Sequence, residues 1–294
     1  MSVGAIAGLF PGQGSHTADL RERVQRVVPE LLERALELVG ADPFARVGES
    51  TRFAQPAIYC ASIAGWREWR SFVRPRALAG HSLGELSALV AAGALDSASG
   101  LELAVIRGEL MDSATTLEEE GMLAVLGGEE RLPDLLARAH DVVVANDNAP
   151  GQVVLAGPAD RLRDASGHAR SEGARTIWLD VAGAFHSPAM ASAVQPFRCA
   201  LEQVEFRPPA IQVISSSTTE PFKDVRGELA AAIVQPVRWR ATMLALARLG
   251  AETFVDFGPG EVLSRLVKRN LPEAGILGRG QSGTSDRLES SVVA

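Results

Sequence analysis

No apolar run in these 294 residues approaches the ~20 residues that a membrane-spanning helix needs. The first ten residues carry neither a basic n-region nor a small-residue cleavage site, so a signal peptide is not expected either. Cysteine is scarce. Cys60 and Cys199 have no metal-ligand spacing; they fit a reducing cytoplasm, where buried thiols act as small hydrophobes, and neither is expected to do chemistry. Lysine occurs only at Lys223 and Lys268, a bias that reflects base composition and carries no functional weight. Positive charge is not in excess: the formal net charge is -7 and the pI about 5.4, which argues against a general nucleic-acid binder. What remains is 46% hydrophobic and 22% charged side chains, enough for a sizeable core in one large domain or two average ones.

The order of elements predicts an α/β fold. Residues 5–10 form a short apolar run that stops at Pro11-Gly12-Gln13-Gly14, a strand ending in a turn. Helical spacing follows at 20–39 and 55–73. A brief strand at 76–80 runs into His81-Ser82, and helices are expected at 83–94 and 98–117. Strand, turn and helix in this order imply a parallel sheet covered by helices, as in an α/β-hydrolase-like core. The pattern then changes. Strands at 122–126, 142–145, 152–156 and 175–181 alternate with helices at 129–139 and 160–172, the β-α-β-β-α-β order of a ferredoxin-like unit. This divides the chain into a core of 1–121 with 187–278, an inserted subdomain of 122–186, and a polar, flexible tail of 279–294. Within the second part of the core, helices are expected at 188–202, 225–233 and 262–269, with a strand at 254–257.

Three residues stand out for chemistry. Gly80-His81-Ser82-Leu83-Gly84 fits the G-x-S-x-G nucleophile elbow between a strand and a helix. Its glycines are explained by crowding: a Cβ at either place would strike strand or helix. The turn leaves the Ser82 hydroxyl at a helix N-terminus, with the Leu83 N–H as a natural oxyanion donor. A serine N-cap is the plain alternative. A serine alcohol needs a base. Of the five histidines, His140 and His168 lie on charged, exposed stretches, His81 should point away from its neighbour's hydroxyl, and His16 follows a turn. His186 falls between a strand and a helix, where α/β active sites gather, although an ordinary loop histidine has the same placement. Arg107 shares a helix face with Leu103, Ala104, Leu110 and Met111, so its charge must meet an anion: an internal Asp or Glu, or a substrate carboxylate gripped bidentately.

Together these segments resemble the malonyl-CoA:acyl-carrier-protein transacylases and the acyltransferase domains of polyketide synthases. The resemblance rests on Phe10-Pro11-Gly12-Gln13-Gly14-Ser15, GHSLGE from Gly80, Arg107-Gly108-Glu109-Leu110-Met111, NDNAPGQVVLAG from Asn146, GAFHS from Gly183, Pro236-Val237-Arg238-Trp239 and Gly258-Pro259-Gly260, in the family's order. It implies Ser82 as nucleophile and His186 as general base, with oxyanion N–H groups from Gln13 and Leu83. Arg107 would hold a malonyl carboxylate, and a backbone carbonyl near Ala232 would orient His186 in place of an aspartate. Phe185 resembles the malonyl-selective pattern. Two departures stand at the entrance: His16 where the family commonly has Gln, and Thr17-Ala18-Asp19 where a Gly-Met-Gly stretch is usual.

The implied reaction is ping-pong transfer from malonyl-CoA to the phosphopantetheine thiol of an acyl carrier protein, with no metal or bound cofactor, by a monomeric cytoplasmic enzyme. The carrier should be acidic, and Arg161, Arg163 and Arg170, or Arg265, Lys268 and Arg269, are candidates for docking it. The start at the first predicted strand suggests a freestanding, trans-acting polyketide enzyme over a fatty-acid one. Rival readings are a serine hydrolase that clears acyl groups from carriers, an acyltransferase for another extender unit, and a catalytically silent carrier-binding module. Arg107 argues against the hydrolase, and the intact Ser82, His186 and Gln13 set against the silent module.

Overall fold

The computed structural model describes residues 5–115, 120–128, 139–181 and 183–277. It contains two sheets. The first joins β1 (Ala5–Phe10), β2 (Ala77–Gly80), β7 (Gln212–Ile214), β8 (Ala251–Asp256) and β9 (Gly275–Leu277) in the order β7-β2-β1-β8-β9, every pair parallel. The apolar run of β1 follows from this place: a central parallel strand is covered on both faces. Ala7 and Leu9 point into one layer with Trp239, Met243 and Leu266, whereas Phe10 points into the other, where its ring meets Trp66 and Phe257.

The helices of the first half cover the Phe10 layer: α1 (Leu20–Val27), α2 (Pro29–Val39), α3 (Thr51–Trp69), α4 (Gly84–Ala91) and α5 (Ser97–Ser113). The single helix expected at 20–39 is two, because Pro29 cannot continue a helix but is well placed to open one. α3 begins four residues before the expected 55 and carries Pro56 in its interior. Helix α5 starts at an Asp96 cap that accepts the N–H groups of Ala98 and Ser99, and it ends earlier than expected, at Ser113.

The second sheet is antiparallel and small: β3 (Glu120–Leu126), β4 (Val143–Ala149), β5 (Gln152–Pro158) and β6 (Arg175–Trp178), in the order β4-β5-β3-β6. That order is the one a ferredoxin-like unit requires. Helix α6 (Ala159–Ser171) covers one face through Leu162 and Ala165 against Leu123, Val125 and Leu155. Met122, Val154 and Ala156 on the other face join the main core. The helix expected at 129–139 has residues 129–138 outside the described set, and the tail expected at 279–294 lies outside it entirely. The chain returns through a 3-10 turn (Pro188–Met190), α7 (Ala191–Glu202), α8 (Val225–Ala231), α9 (Trp239–Arg248) and α10 (Val262–Asn270). Strands β7 and β9 and helix α9 are absent from the sequence expectation; the strands are three residues each, too short for any period to show. Cys60 is buried as expected, but Cys199 is exposed on α7.

The two sheets are stitched at one point that matters for the site. The Val237 N–H donates to the Ala145 carbonyl at 2.8 Å, and the Asp147 N–H donates to the Val237 carbonyl at 2.9 Å. The segment before α9 therefore lies beside β4 as a single extra rung.

Candidate active site

The turn after β2 is as tight as its glycines suggest. A Cβ on Gly80 would sit 2.0 Å from the Gly84 backbone, and one on Gly84 would sit 2.0 Å from the Phe10 carbonyl oxygen. Only glycine permits strand and helix to approach so closely. Between them Ser82 is forced to φ +54°, a left-handed conformation that costs a non-glycine residue of the order of 1–3 kcal/mol and is kept where function needs it. The result is a half-buried hydroxyl at the N-terminus of α4, in a cleft of about 540 Å³ between the parallel core and the small sheet.

His186 reaches that hydroxyl across 104 positions of sequence: its Nε2 lies 2.8 Å from Ser82 Oγ. It too has a positive φ, +57°, and it is only 5% exposed. Its Nδ1 faces two carbonyls, Ala232 at 2.9 Å and Gln235 at 3.0 Å. Carbonyls only accept, so Nδ1 carries the proton and Nε2 is left to accept from serine. Burial, and then the charge of Arg107, hold the imidazole far below the usual histidine range, to about 3. It is therefore neutral and ready as a base at ordinary pH. Asp180, close in sequence, lines the cleft, but the imidazole's orienting bonds go to the two carbonyls.

Arg107 comes from α5 and is 5% exposed. Its Nη2 donates to Ser82 Oγ at 3.1 Å and its Nη1 to the Gln55 side-chain oxygen at 2.9 Å. Among the described residues no carboxylate forms an ion pair with it. Burial lowers its pKa to about 10, which the nearby Glu85 charge only partly offsets. A cation held by two neutral oxygens inside a cleft is a site for an anion.

Gln13 and Leu83 face the same cleft. Among the described residues, no hydrogen bond takes the backbone N–H of either. The Gln13 turn is pressed against the elbow, since a Cβ on Gly12 would lie 2.7 Å from the His81 carbonyl oxygen. Two free donors beside an activated hydroxyl can stabilise a tetrahedral oxyanion. His81 itself points away from Ser82, as expected: its Nε2 meets Asn148 Oδ1 at 3.0 Å, and its ring packs on Trp239 at 5.2 Å.

Phe185 is buried and lines the cleft beside His186, and His16 lies exposed at its rim. Asn146 and Gln152 both line it, Gln152 while accepting from Arg269 at 2.7 Å. The basic groups singled out for docking are partly engaged. Arg161 pairs with Asp160 and Arg265 with Glu261, while Lys268 donates to the Ala274 carbonyl. Gln55, Asn148 and Gln235 join the site from outside the sequence candidates. Gln55 is 2% exposed on an apolar helix, and a buried glutamine in such a stretch was the available signal. For Gln235 there was none, because it acts through its carbonyl.

Residues 35–291 match the acyl transferase domain family. The polyketide biosynthesis protein ThaF of Burkholderia thailandensis is 37% identical over 99% of this chain, which spans only 26% of that relative's length. The polyketide biosynthesis malonyl CoA-acyl carrier protein transacylase PksC of Bacillus subtilis is 35% identical over 90% of this chain and 96% of its own. Among solved structures, a malonyl-transacylase in complex with its type II polyketide synthase acyl-carrier protein superposes with a TM-score of 0.88 at 29% identity, covering 97% of this chain and 99% of that one. With a serine–histidine pair, two free N–H donors and a buried arginine in one cleft, and with these matches across nearly its whole length, the chain belongs to the acyltransferase family of the malonyl CoA-acyl carrier protein transacylases.

Proposed function

We propose that this acyltransferase moves a malonyl group from malonyl-CoA to the phosphopantetheine thiol of an acyl carrier protein, in fatty-acid or polyketide synthesis. The observation that carries the reading is the Arg107 guanidinium, buried 3.1 Å from the Ser82 hydroxyl with no carboxylate paired to it among the described residues. A free carboxylate on the acyl group satisfies that cation while its thioester carbon meets Ser82. The catalytic work falls to a core of residues 1–121 and 187–278, with 122–186 as the inserted wall of the cleft.

His186 Nε2 takes the proton as Ser82 Oγ attacks the thioester carbonyl, and the oxyanion rests on the Gln13 and Leu83 N–H groups. The imidazolium keeps its Nδ1 proton on the Ala232 and Gln235 carbonyls and returns the Nε2 proton to the departing coenzyme A thiolate. The carrier thiol then loses its proton to His186 and attacks the Ser82 ester, regenerating the hydroxyl. These steps need no bound cofactor, and we take the enzyme to act as a cytoplasmic monomer. Phe185 narrows the pocket beside the base and so favours malonyl over branched acyl groups.

Incubation with malonyl-CoA alone should add one malonyl mass to the intact protein, and Ser82→Ala should prevent it. An adduct mapping to another residue would end this mechanism.

A further inference from the structure

The nucleophile and the base come from separate loops, and the carbonyl pair that aims the base comes from a third. The third piece, residues 232–239, is where the parts are fastened together. Its Gln235 carbonyl accepts from His186, Val237 is bonded on both sides to β4, and Trp239 lies under the His81 ring. One more fastening starts three residues after the nucleophile. The Glu85 carboxylate, 2% exposed in the first turn of α4, accepts from the Ser216 N–H at 2.6 Å and from the Ser216 hydroxyl at 3.0 Å. The Ser216 carbonyl in turn accepts from the Arg238 N–H at 2.7 Å. The path from the elbow to the carbonyl that aims the base is thus Glu85, Ser216, Arg238 and back three residues to Gln235.

A buried carboxylate is a costly residue to keep, and an apolar side chain would fill the same space at no such cost. Here it ties two loops. Its oxygen reaches a backbone N–H that would otherwise be buried without an acceptor. We infer that Glu85 is a positioning residue: through Ser216 and Arg238 it sets the distance and direction between Ser82 and the His186 base. Ser215, Ser216 and the Arg107 charge are the groups that face Glu85. Arg107 and His81 face His186.

The inference rests on the Ser82–His186 reading, and one experiment separates the two. Self-acylation by malonyl-CoA is followed by rapid quench and intact mass across pH, in wild type, Glu85→Ala, Glu85→Gln, Ser216→Ala and Ser82→Ala. A misplacement of about 1 Å costs up to about 10² in rate, so Glu85→Ala should lower kcat at least tenfold while KM for malonyl-CoA holds. Its acid limb should move to higher pH, because a loosened His186 takes up water and regains basicity. Glu85→Gln keeps an acceptor for the Ser216 N–H and should recover most of kcat with the wild-type acid limb. Ser216→Ala removes one of the two bonds and should fall between. A purely structural role would lower the active fraction equally at every pH and leave the limb in place. Wild-type kcat in Glu85→Ala, or an unmoved limb, overturns the positioning role. If Glu85→Ala does not fold, wild-type kinetics in Ser216→Ala overturn it instead. An adduct that persists in Ser82→Ala overturns the underlying mechanism, whatever the Glu85 variants do.

Discussion

The loop that carries Ser82 and the loop that carries His186 solve the same problem by opposite means. Each holds its residue at positive φ, +54° and +57°, and aims it at the other. The serine loop is fixed chiefly by close packing: a Cβ on Gly80 would meet the start of α4 and one on Gly84 the Phe10 carbonyl of β1, with no room for a methyl group at either. The histidine loop is fixed from outside. Its imidazole is aimed by carbonyls 46 and 49 residues away in sequence, while its local bonds, such as the Ser187 hydroxyl to the Ala184 carbonyl at 2.6 Å and the Phe185 N–H to the Gly183 carbonyl at 3.1 Å, do not touch the ring. A locally determined turn shows in its own residues. A loop aimed by distant backbone does not.

The largest expected effect breaks the comparison on the histidine side. His186→Ala should lower loading by on the order of 10² to 10⁴, the usual cost of losing a general base, while thermal melting shows a folded protein. Because burial and Arg107 hold His186 to about pKa 3, wild-type loading should show no histidine titration between pH 5 and 7. A limb near pH 6.5 assigned to His186 would mean that the base is hydrated in solution.

On the serine side, Gly84→Ala must push either α4 or β1, since its methyl would meet the Phe10 carbonyl carbon and oxygen. Displacement of Ser82 by about 1 Å should cost about 10² in kcat. The matching change in the other loop, Gly183→Ala, meets the Thr115 side chain at its Cγ2 and Cβ rather than a carbonyl of the sheet, and should be several-fold milder. Equal losses would show that the histidine loop is as locally fixed as the elbow.

This contrast explains what was legible in the sequence. The elbow, the parallel sheet and the ferredoxin-like order could be read because each depends on neighbours: glycines at fixed spacing, apolar runs, strands alternating with helices. Arg107 was legible as an anomaly on an apolar face, and its direct hydrogen bonds among the described residues go to Gln55 and Ser82, with the Glu85 charge nearby. Ala232 was reachable only through resemblance, since an alanine that works through its carbonyl has no side-chain signature. Gln235 was hidden for the same reason, and the Glu85–Ser216–Arg238 tie because it joins a carboxylate to a loop 131 residues away, partly through backbone groups. Residues 20–39 read as one helix because the apolar spacing continues across Pro29, which opens a second helix.

Arg107 touches the serine side directly and the base through its field, so its loss sharpens the comparison again. A charge-assisted contact of about 1.5–3 kcal/mol implies that Arg107→Ala lowers malonyl loading at least about tenfold. Acetyl loading should hold or rise, because an uncharged group no longer leaves a buried cation unpaired. Lysine should rescue only partly, lacking the planar fork. The measure is the malonyl to acetyl ratio of kcat/KM; an equal fall in both would make Arg107 a structural residue.

The smallest effect is on stability, and there the two sides carry opposite pH signatures. On the serine side, burial lifts the Glu85 carboxyl from 4.5 to about 7. The folded protein holds that proton where the unfolded chain has released it, so this contribution is present at acid pH and lost as pH rises through about 7. On the other side, burial pushes His186 down to about 3, and that contribution is lost as pH falls below about 6.5. Asp256, lifted to about 6, has lost most of its share by pH 6.5. Between pH 6.5 and 8 the Glu85 contribution falls by about 1 kcal/mol, a few degrees in Tm. His186 and His81, both held below 6.5 by burial, regain stability over the same window, so the fall is read in the difference between wild type and Glu85→Gln. Glu85→Gln should remove that fall from about pH 4.5 upward and leave the profile below pH 4.5, which the histidine loop still shapes, unchanged. Parallel Tm curves for wild type and Glu85→Gln across this window would show that the elbow's carboxylate is already ionised at pH 6.5, and that its two bonds to Ser216 outweigh its burial.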